Sequence, residues 1–365
     1  MNSVLSSWQS EPRKNKMKIV VAIDSFKGSA TSAELNDAVK AGILSAFPAA
    51  HVTTFEIADG GEGTISALWH GLGGELIAVE TVDLLERPLK ARYLLADKLA
   101  VIEAAEVVGI DKIIPSAETI QQATTRGLAA LFIDAKNRGV TEIMLSLGGT
   151  GTSDGGLGLL QGLGGSFEHL PVLKNVKITG LADVTNVYAG EAGYAKFFGK
   201  QKGGTAEILA QQDQQAQKIV AQVKAQYGLD LQTIAGTGAA GGLGGAIAML
   251  GGTIEAGFPK IAALLGIEKA VKNADLVITG EGRMDFQTAN GKVPYGMAKI
   301  AEKYHVPTLA FCGALGDDLG ELNEVLLASY SIQRSALSLA EAMEKERTLK
   351  NIQTLARNVM KTRYK

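Results

Sequence analysis

Lys18-Ile-Val-Val-Ala-Ile-Asp24-Ser-Phe-Lys-Gly-Ser29 is the stretch that decides the fold. From Lys18 to Ile23 it is a short run, apolar after the first residue, that reads as a buried strand of a parallel sheet. The strand delivers Asp24 to its carboxyl end, a Gly/Ser turn follows, and Thr31 or Ser32 caps a helix predicted to run to about Phe47. This succession of strand, charged turn and helix recurs along the chain.

Residues 52–57 form the next predicted strand and lead to Asp59, after which 64–70 reads as helix. Residues 75–82 and 91–101 alternate or run apolar as strands, the second reaching Glu103. A single amphipathic helix is expected over 119–137, with Leu128, Leu131, Phe132 and Ala135 on one stripe. Strand 142–147 ends in a glycine loop at 148–156, strand 177–181 feeds Asp183, and a Gln/Ala-rich helix covers roughly 205–227. Strand 275–279 runs into Gly280-Glu-Gly-Arg-Met-Asp285, and strands at 307–311 and 325–329 complete the set. Such alternation means an α/β protein with parallel sheet. Ligands of these sheets gather at the carboxyl ends of strands, which is where Asp24, Asp59, Glu103, Asp183 and Glu281 fall.

Composition narrows the class. A chain of 365 residues has room for about two domains. Its 44 glycines are about 12% of the chain against a usual ~7%, while 8 prolines and 46% hydrophobic residues exclude collagen and disorder. With 36 Lys and Arg against 38 Asp and Glu, no basic excess exists to hold a nucleic-acid backbone. The single cysteine, Cys312, provides no disulfide framework and fits a reducing cytoplasm. Residues 1–16 contain no apolar stretch long enough for a signal peptide and read as a disordered extension. The most apolar segment, 239–250, is too short and glycine-rich to span a bilayer. The apolar content leaves room for a homodimer face.

Five segments set glycines beside acids or hydroxyls: 24–29, Ala58-Asp-Gly-Gly-Glu-Gly-Thr64, Leu147-Gly-Gly-Thr-Gly-Thr-Ser-Asp-Gly-Gly156, Gly236-Thr-Gly-Ala-Ala-Gly-Gly-Leu-Gly-Gly245 and 278–285. Glycine lets backbone amides approach a ligand closely, and carboxylates and cations handle metal and phosphate charge. Together they point to a phosphate-bearing small molecule. Gly236, Gly238 and Gly241 match the dinucleotide spacing, but 254–271 reads as helix where the second strand and its acid belong. That segment is either a helix start packed against a neighbour or one that receives phosphate. Ser153 has the spacing of a nucleophile elbow but stands too far past the strand. P-loop and protein-kinase motifs are absent, and the four histidines lack ligand spacing. Lys27 is a solvated loop lysine or a phosphate contact, and Arg283 either neutralises its acidic neighbours or grips an anion.

These segments, with Asp183-Val-Thr-Asn186, Gln201-Lys-Gly203 and Gly291-Lys-Val-Pro294, resemble the family 1 (bacterial) glycerate kinases, in the family's order from about residue 17 onward. Ile23, Val187 and Lys200 stand where the family usually has Pro, Ala129 where it has Gly, and the segment 165–183 is short. The resemblance implies two α/β domains, one flavodoxin-like and one inserted into it, with the site in the cleft between. Glycines at 71–74 and 251–252 suggest boundaries that give 17–74 plus 253–365 and an inserted 75–252. It also implies ATP-dependent phosphorylation of D-glycerate with Mg²⁺, at C2 sooner than C3. Asp183, Asp285 and Lys27 would then be catalytic, and Mg²⁺ would be held from among Asp24, Asp183 and Asp285. Arg283, Lys202, Asn186, Asp59 and Glu62 would bind glycerate. Ser25, Ser29, Gly148, Gly149, Thr150, Gly238, Gly241, Gly242 and Glu281 would bind the nucleotide. A kinase for another small hydroxy-acid, or a non-catalytic ligand-binding relative, is the alternative.

Overall fold

A computed structural model of the chain describes residues 17–363; the expected extension at 1–16 lies outside the described residues. The strands are β1 (Lys18–Ile23), β2 (His51–Thr54), β3 (Glu75–Val82), β4 (Pro88–Ala96), β5 (Leu99–Glu103), β6 (Glu142–Ser146), β7 (Lys177–Leu181), β8 (Thr253–Glu255), β9 (Leu276–Gly280), β10 (Arg283–Met284), β11 (Thr308–Cys312), β12 (Ala314–Leu315) and β13 (Ala328–Ser331). The chain divides into two compact units: one of residues up to 55, 266–289 and 293 onward, and one of 56–265 with 290–292.

The first unit is a five-stranded sheet in the order β13-β11-β9-β1-β2, parallel throughout. After Lys18 every residue of β1 is buried, as are β9 and β11, which is why these segments are continuous apolar runs. Counted within this sheet, the order is 2-1-3-4-5, the doubly wound flavodoxin-like arrangement, with its switch point between β1 and β9. The helix Ser32–Ala46 starts on a capping box in which Thr31 accepts from the Glu34 amide and Glu34 from the Thr31 amide. The helix Lys345–Arg363 crosses it closely at Gly42, where a Cβ would stand 2.3 Å from the Gln353 carbonyl oxygen.

The second unit is a six-stranded sheet, β3-β4-β5-β6-β7-β8, antiparallel through β3, β4 and β5 and parallel from β5 to β8. Its core gathers Tyr93, Phe132, Leu145, Tyr188 and Ile247. Leu128, Leu131, Phe132 and Ala135 are buried on one helix face as expected.

Several boundaries differ from expectation. The strand expected over 91–101 is a hairpin, because Asp97 takes a left-handed φ of 53° and turns β4 back into β5. The helix expected over 119–137 is two pieces, Thr119–Gln122 and Leu128–Asn137. Between them the backbone leaves helical pairing: the Thr124 amide donates to the Leu84 carbonyl, and Thr125 donates its amide and hydroxyl to Asp154 at 2.7 and 2.8 Å. The last strand lies at 328–331 because Leu322–Val325 is a helical turn. Residues 254–271 contain β8 and two helices, Gly257–Leu264 and Ile267–Val271. The units divide at 55/56 and 265/266, where glycines suggested 74/75 and 252/253. Thr64–Leu72 packs on β4 and β5, and Gly257–Leu264 packs on Thr64–Leu72, which keeps both helices with the second unit.

Asp154 organises the glycine loop after β6. Besides Thr125, it accepts from the amides of Gly156 at 3.0 Å and Gly158 at 3.1 Å. Replacing Asp154 with Ala strands these donors and is expected to lower the unfolding free energy by about 2–4 kcal/mol in urea titration, whereas a loss below about 0.5 kcal/mol would show that the loop does not depend on it.

Candidate active site

In the second unit, the turn that carries Asp59 is wedged among strand ends by contacts that leave no room for side chains. Gly60, at φ +95°, would place a Cβ 3.0 Å from the Gly257 Cα and 3.1 Å from the Leu181 Cβ. A Cβ on Gly257 would fall 1.8 Å from the Asp59 carbonyl oxygen, and one on Gly148 would fall 2.8 Å from the Gly61 Cα. The Ser146 hydroxyl at the end of β6 donates to the Gly61 carbonyl at 3.2 Å. Gly148, Gly61 and Gly257 thus draw the segments after β6, β2 and β8 into one place.

Asp183 follows the end of β7 and accepts the Gly257 amide on Oδ1 at 3.0 Å. Burial raises its pKa to about 7, the nearby Asp59 carboxylate adds to the rise, and the Gly257 amide and Lys292 ammonium oppose it. Two neighbouring carboxylates facing a lysine form a site whose charge changes in the neutral range. Glu103, the last residue of β5, is 6% exposed and accepts the Ile65 amide at 2.6 Å. Burial raises it, too, to about 7. Glu62 is exposed on the same turn as Asp59.

The loop after β6 is open at one end. Gly149 is exposed with φ +75°, Gly148 is half-buried and Thr150 is buried. The Gly151 amide is committed to the Val108 carbonyl. Beneath the loop lies Lys202, only 3% exposed, donating to the Thr152 carbonyl at 2.6 Å and reaching the Thr150 hydroxyl at 3.4 Å. Desolvation lowers its pKa to about 8. A lysine so buried supports the loop and is not presented to a free carboxylate. Asn186 donates its side-chain amide to the Ala192 carbonyl, and its own carbonyl accepts from Gly238.

The glycine segment 236–245 packs against protein backbone. A Cβ on Gly238 would meet the Val187 carbonyl at 2.2 Å, one on Gly241 the Thr152 carbonyl at 2.0 Å, and one on Gly242 the Gly155 Cα at 2.6 Å. All three are buried, so of the two sequence alternatives the tightly packed helix start describes them.

In the first unit a second group stands at the switch point. Asp24 directly follows β1, its amide donating to the Gly280 carbonyl and its carboxylate accepting the Ser25 amide at 2.7 Å. The turn past β9 lies alongside, where a Cβ on Gly282 would be 3.5 Å from the Phe26 Cα. Glu281 is buried and accepts the Thr288 hydroxyl. Arg283 is exposed, 3.8 Å from Asp285, and Lys27 is exposed. The Ser29 hydroxyl hydrogen-bonds Thr348 at 2.8 Å. Carboxylates beside exposed cations at a switch point suit a metal-bearing polyanion.

Two residues without an expected role enter here. Lys292 sits in the Gly291-Lys-Val-Pro294 motif and bears on Asp183. Glu103 is legible as a strand-end acid, but nothing in the sequence points to its amide partners. Among the described residues no three His, Cys, Asp or Glu side chains gather as a metal cage, and no helix is long and apolar enough to cross a membrane.

The sequence pattern of the glycerate kinase family matches residues 19–170 and 168–364. The chain is 34% identical to the glycerate 2-kinase of Escherichia coli K12 across 95% of its own length and 98% of that protein. It is 35% identical to the glycerate kinase of Halalkalibacterium halodurans across 93% and 97%. A crystal structure assigned as glycerate kinase 2 from Salmonella typhimurium LT2 superposes with a TM-score of 0.82 at 32% identity, covering 95% of this chain and 98% of that one. On sequence and fold together, the chain is a kinase of the glycerate kinase family.

Proposed function

We propose that the protein transfers the γ-phosphoryl group of ATP to the C2 hydroxyl of D-glycerate, giving ADP and 2-phosphoglycerate. The carrying observation is Asp183, a carboxylate fixed by the Gly257 amide whose pKa sits at about 7. A general base works best when its pKa lies near the operating pH. As the glycerate oxygen bonds to phosphorus and the bond to the ADP oxygen breaks, Asp183 takes the hydroxyl proton. Asp59 raises the affinity of Asp183 for that proton, and Lys292 keeps part of the base ionised beforehand.

Phosphoryl transfer needs alignment and charge neutralisation more than covalent help. The exposed cations Lys27 and Arg283 are accessible to phosphate or carboxylate oxygens, and Gly148, Gly149 and Thr150 offer an open turn to phosphate. Lys202 holds that turn from below. Mg²⁺ typically takes one or two carboxylates and completes its octahedron with phosphates and water, so a three-acid protein cage is not required. Asp24 and Asp285 are the carboxylates proposed to hold it in the first unit, and bound there it would neutralise developing phosphate charge. Asp183 remains the alternative ligand.

Asp183→Asn is expected to lower kcat by about 10²–10⁴-fold with glycerate KM within a few-fold of wild type; near-normal turnover removes Asp183 as base. In the wild type, kcat/KM should rise as pH increases through about 7, because the base must be ionised, and most of this limb should be lost in the variant. Stability runs the opposite way. Asp183 and Glu103 both hold their protons more tightly folded than unfolded, so the folded chain loses stability as pH rises from the ordinary carboxylate range to about 7. The Tm of Asp183→Asn should therefore exceed wild type by more at pH 8 than at pH 4; an equal gap at both would contradict the raised value. Chelation should abolish ADP release and added Mg²⁺ restore it. Phosphorus NMR of the product distinguishes the C2 from the C3 ester, and ADP formed only with a different hydroxy-acid would replace glycerate as substrate.

A further inference from the structure

Glu103 is a buried carboxylate that the proposed reaction does not use. It ends β5, yet its partners lie on another segment: the amides of Ile65, at 2.6 Å, and Gly63. Those amides open the helix Thr64–Leu72, whose N-cap is Gly63 at φ 90° with no side-chain hydrogen bond of its own. Helix starts leave amides without intrahelical partners and favour negative charge, so Glu103 caps this helix from the end of the strand it packs on. The capped residues directly follow Asp59, Gly60, Gly61 and Glu62, while Ser146 holds the Gly61 carbonyl from β6. Two strand ends therefore grip one turn.

We propose that Glu103 is a positioning residue, its carboxylate setting the place of the 59–63 turn, and so of Asp59, relative to Asp183. The inference rests on the kinase reading for its catalytic consequence but not for its structural one. The charged groups facing Glu103 are Glu106 on the helix Ala104–Val108 and Glu62 on the turn, both negative. They act with burial to keep a proton on Glu103 up to about pH 7. A protonated carboxyl is a weaker acceptor, so the grip tightens as pH rises through that range.

The test uses the full chain with Glu103→Gln and Glu103→Ala. Without nucleotide, hydrogen exchange at the Gly63 and Ile65 amides reports the grip directly. Wild-type protection at these amides should be at least about tenfold greater at pH 8 than at pH 5.5, nearly pH-independent in Glu103→Gln, and largely lost in Glu103→Ala. In turnover, Glu103→Ala should lower kcat by about 10-fold or more, while Glu103→Gln stays within about threefold at pH 8. Protonation of Glu103 should cost no more than about threefold, so the acid limb of kcat/KM should be slightly steeper in the wild type than in Glu103→Gln, which follows slope one. If Glu103→Ala does not fold, Glu103→Gln alone decides through exchange and slope. Identical protection and pH profiles in wild type and Glu103→Gln would overturn the proposal. Absent turnover of every hydroxy-acid by the wild type would overturn the kinase reading and leave the exchange result to judge Glu103.

Discussion

Close approach of backbone to backbone is the constraint on which the second unit depends. Where a Cβ on Gly257 would fall 1.8 Å from the Asp59 carbonyl, any side chain must push the turn away from the start of the helix Gly257–Leu264. The same holds, less severely, where Gly148 meets Gly61. These contacts bring the Asp59 turn to the Asp183 carboxylate, and they explain why glycine recurs beside acids in this chain. Glycine supplies proximity, and the acid supplies the chemistry.

Proximity has an electrostatic result. Asp183 is partly removed from water, with a like charge nearby and a single amide and a lysine to compensate. Its neutral form is favoured far above the ordinary carboxylate range, and Glu103 behaves alike, chiefly through burial. A fold selected only for stability would not keep two such acids; a site that must accept a proton near neutral pH has reason to. Asp83 shows the contrast: though buried, it is paired with Arg87 at 2.6 Å and remains below the ordinary value.

Much of this is legible in the sequence because the parallel strands are buried on both faces. Their apolar runs cannot be mistaken for solvent-facing segments: Ile19 to Ile23, Leu276 to Ile278 and Leu309 to Phe311 fill the middle of one sheet. The amphipathic stripe on 128–135 is equally clear. Less visible is the break at 123–127, since it follows from Asp154, distant in sequence, outcompeting the helix for the amide of Thr125. The burial of Lys202 depends on which loop lies over it, and the role of Glu103 on which helix start lies across from it. Glycine density at 236–245 announces close contact but not with what; the partner is the chain's own backbone around 152–155. Pattern reveals which segments are buried, whereas partnership arises only once they are assembled.

The interruption of the first sheet has an implication for synthesis. Ile19 pairs with Leu276, so the central neighbour of the first strand is made only after the entire 56–265 segment has emerged. Every strand of the second sheet, β3 through β8, lies within that segment and is available earlier. On the ribosome the apolar β1 has only β2 to pair with while the intervening unit completes its ladder, which leaves its other edge in need of protection from aggregation.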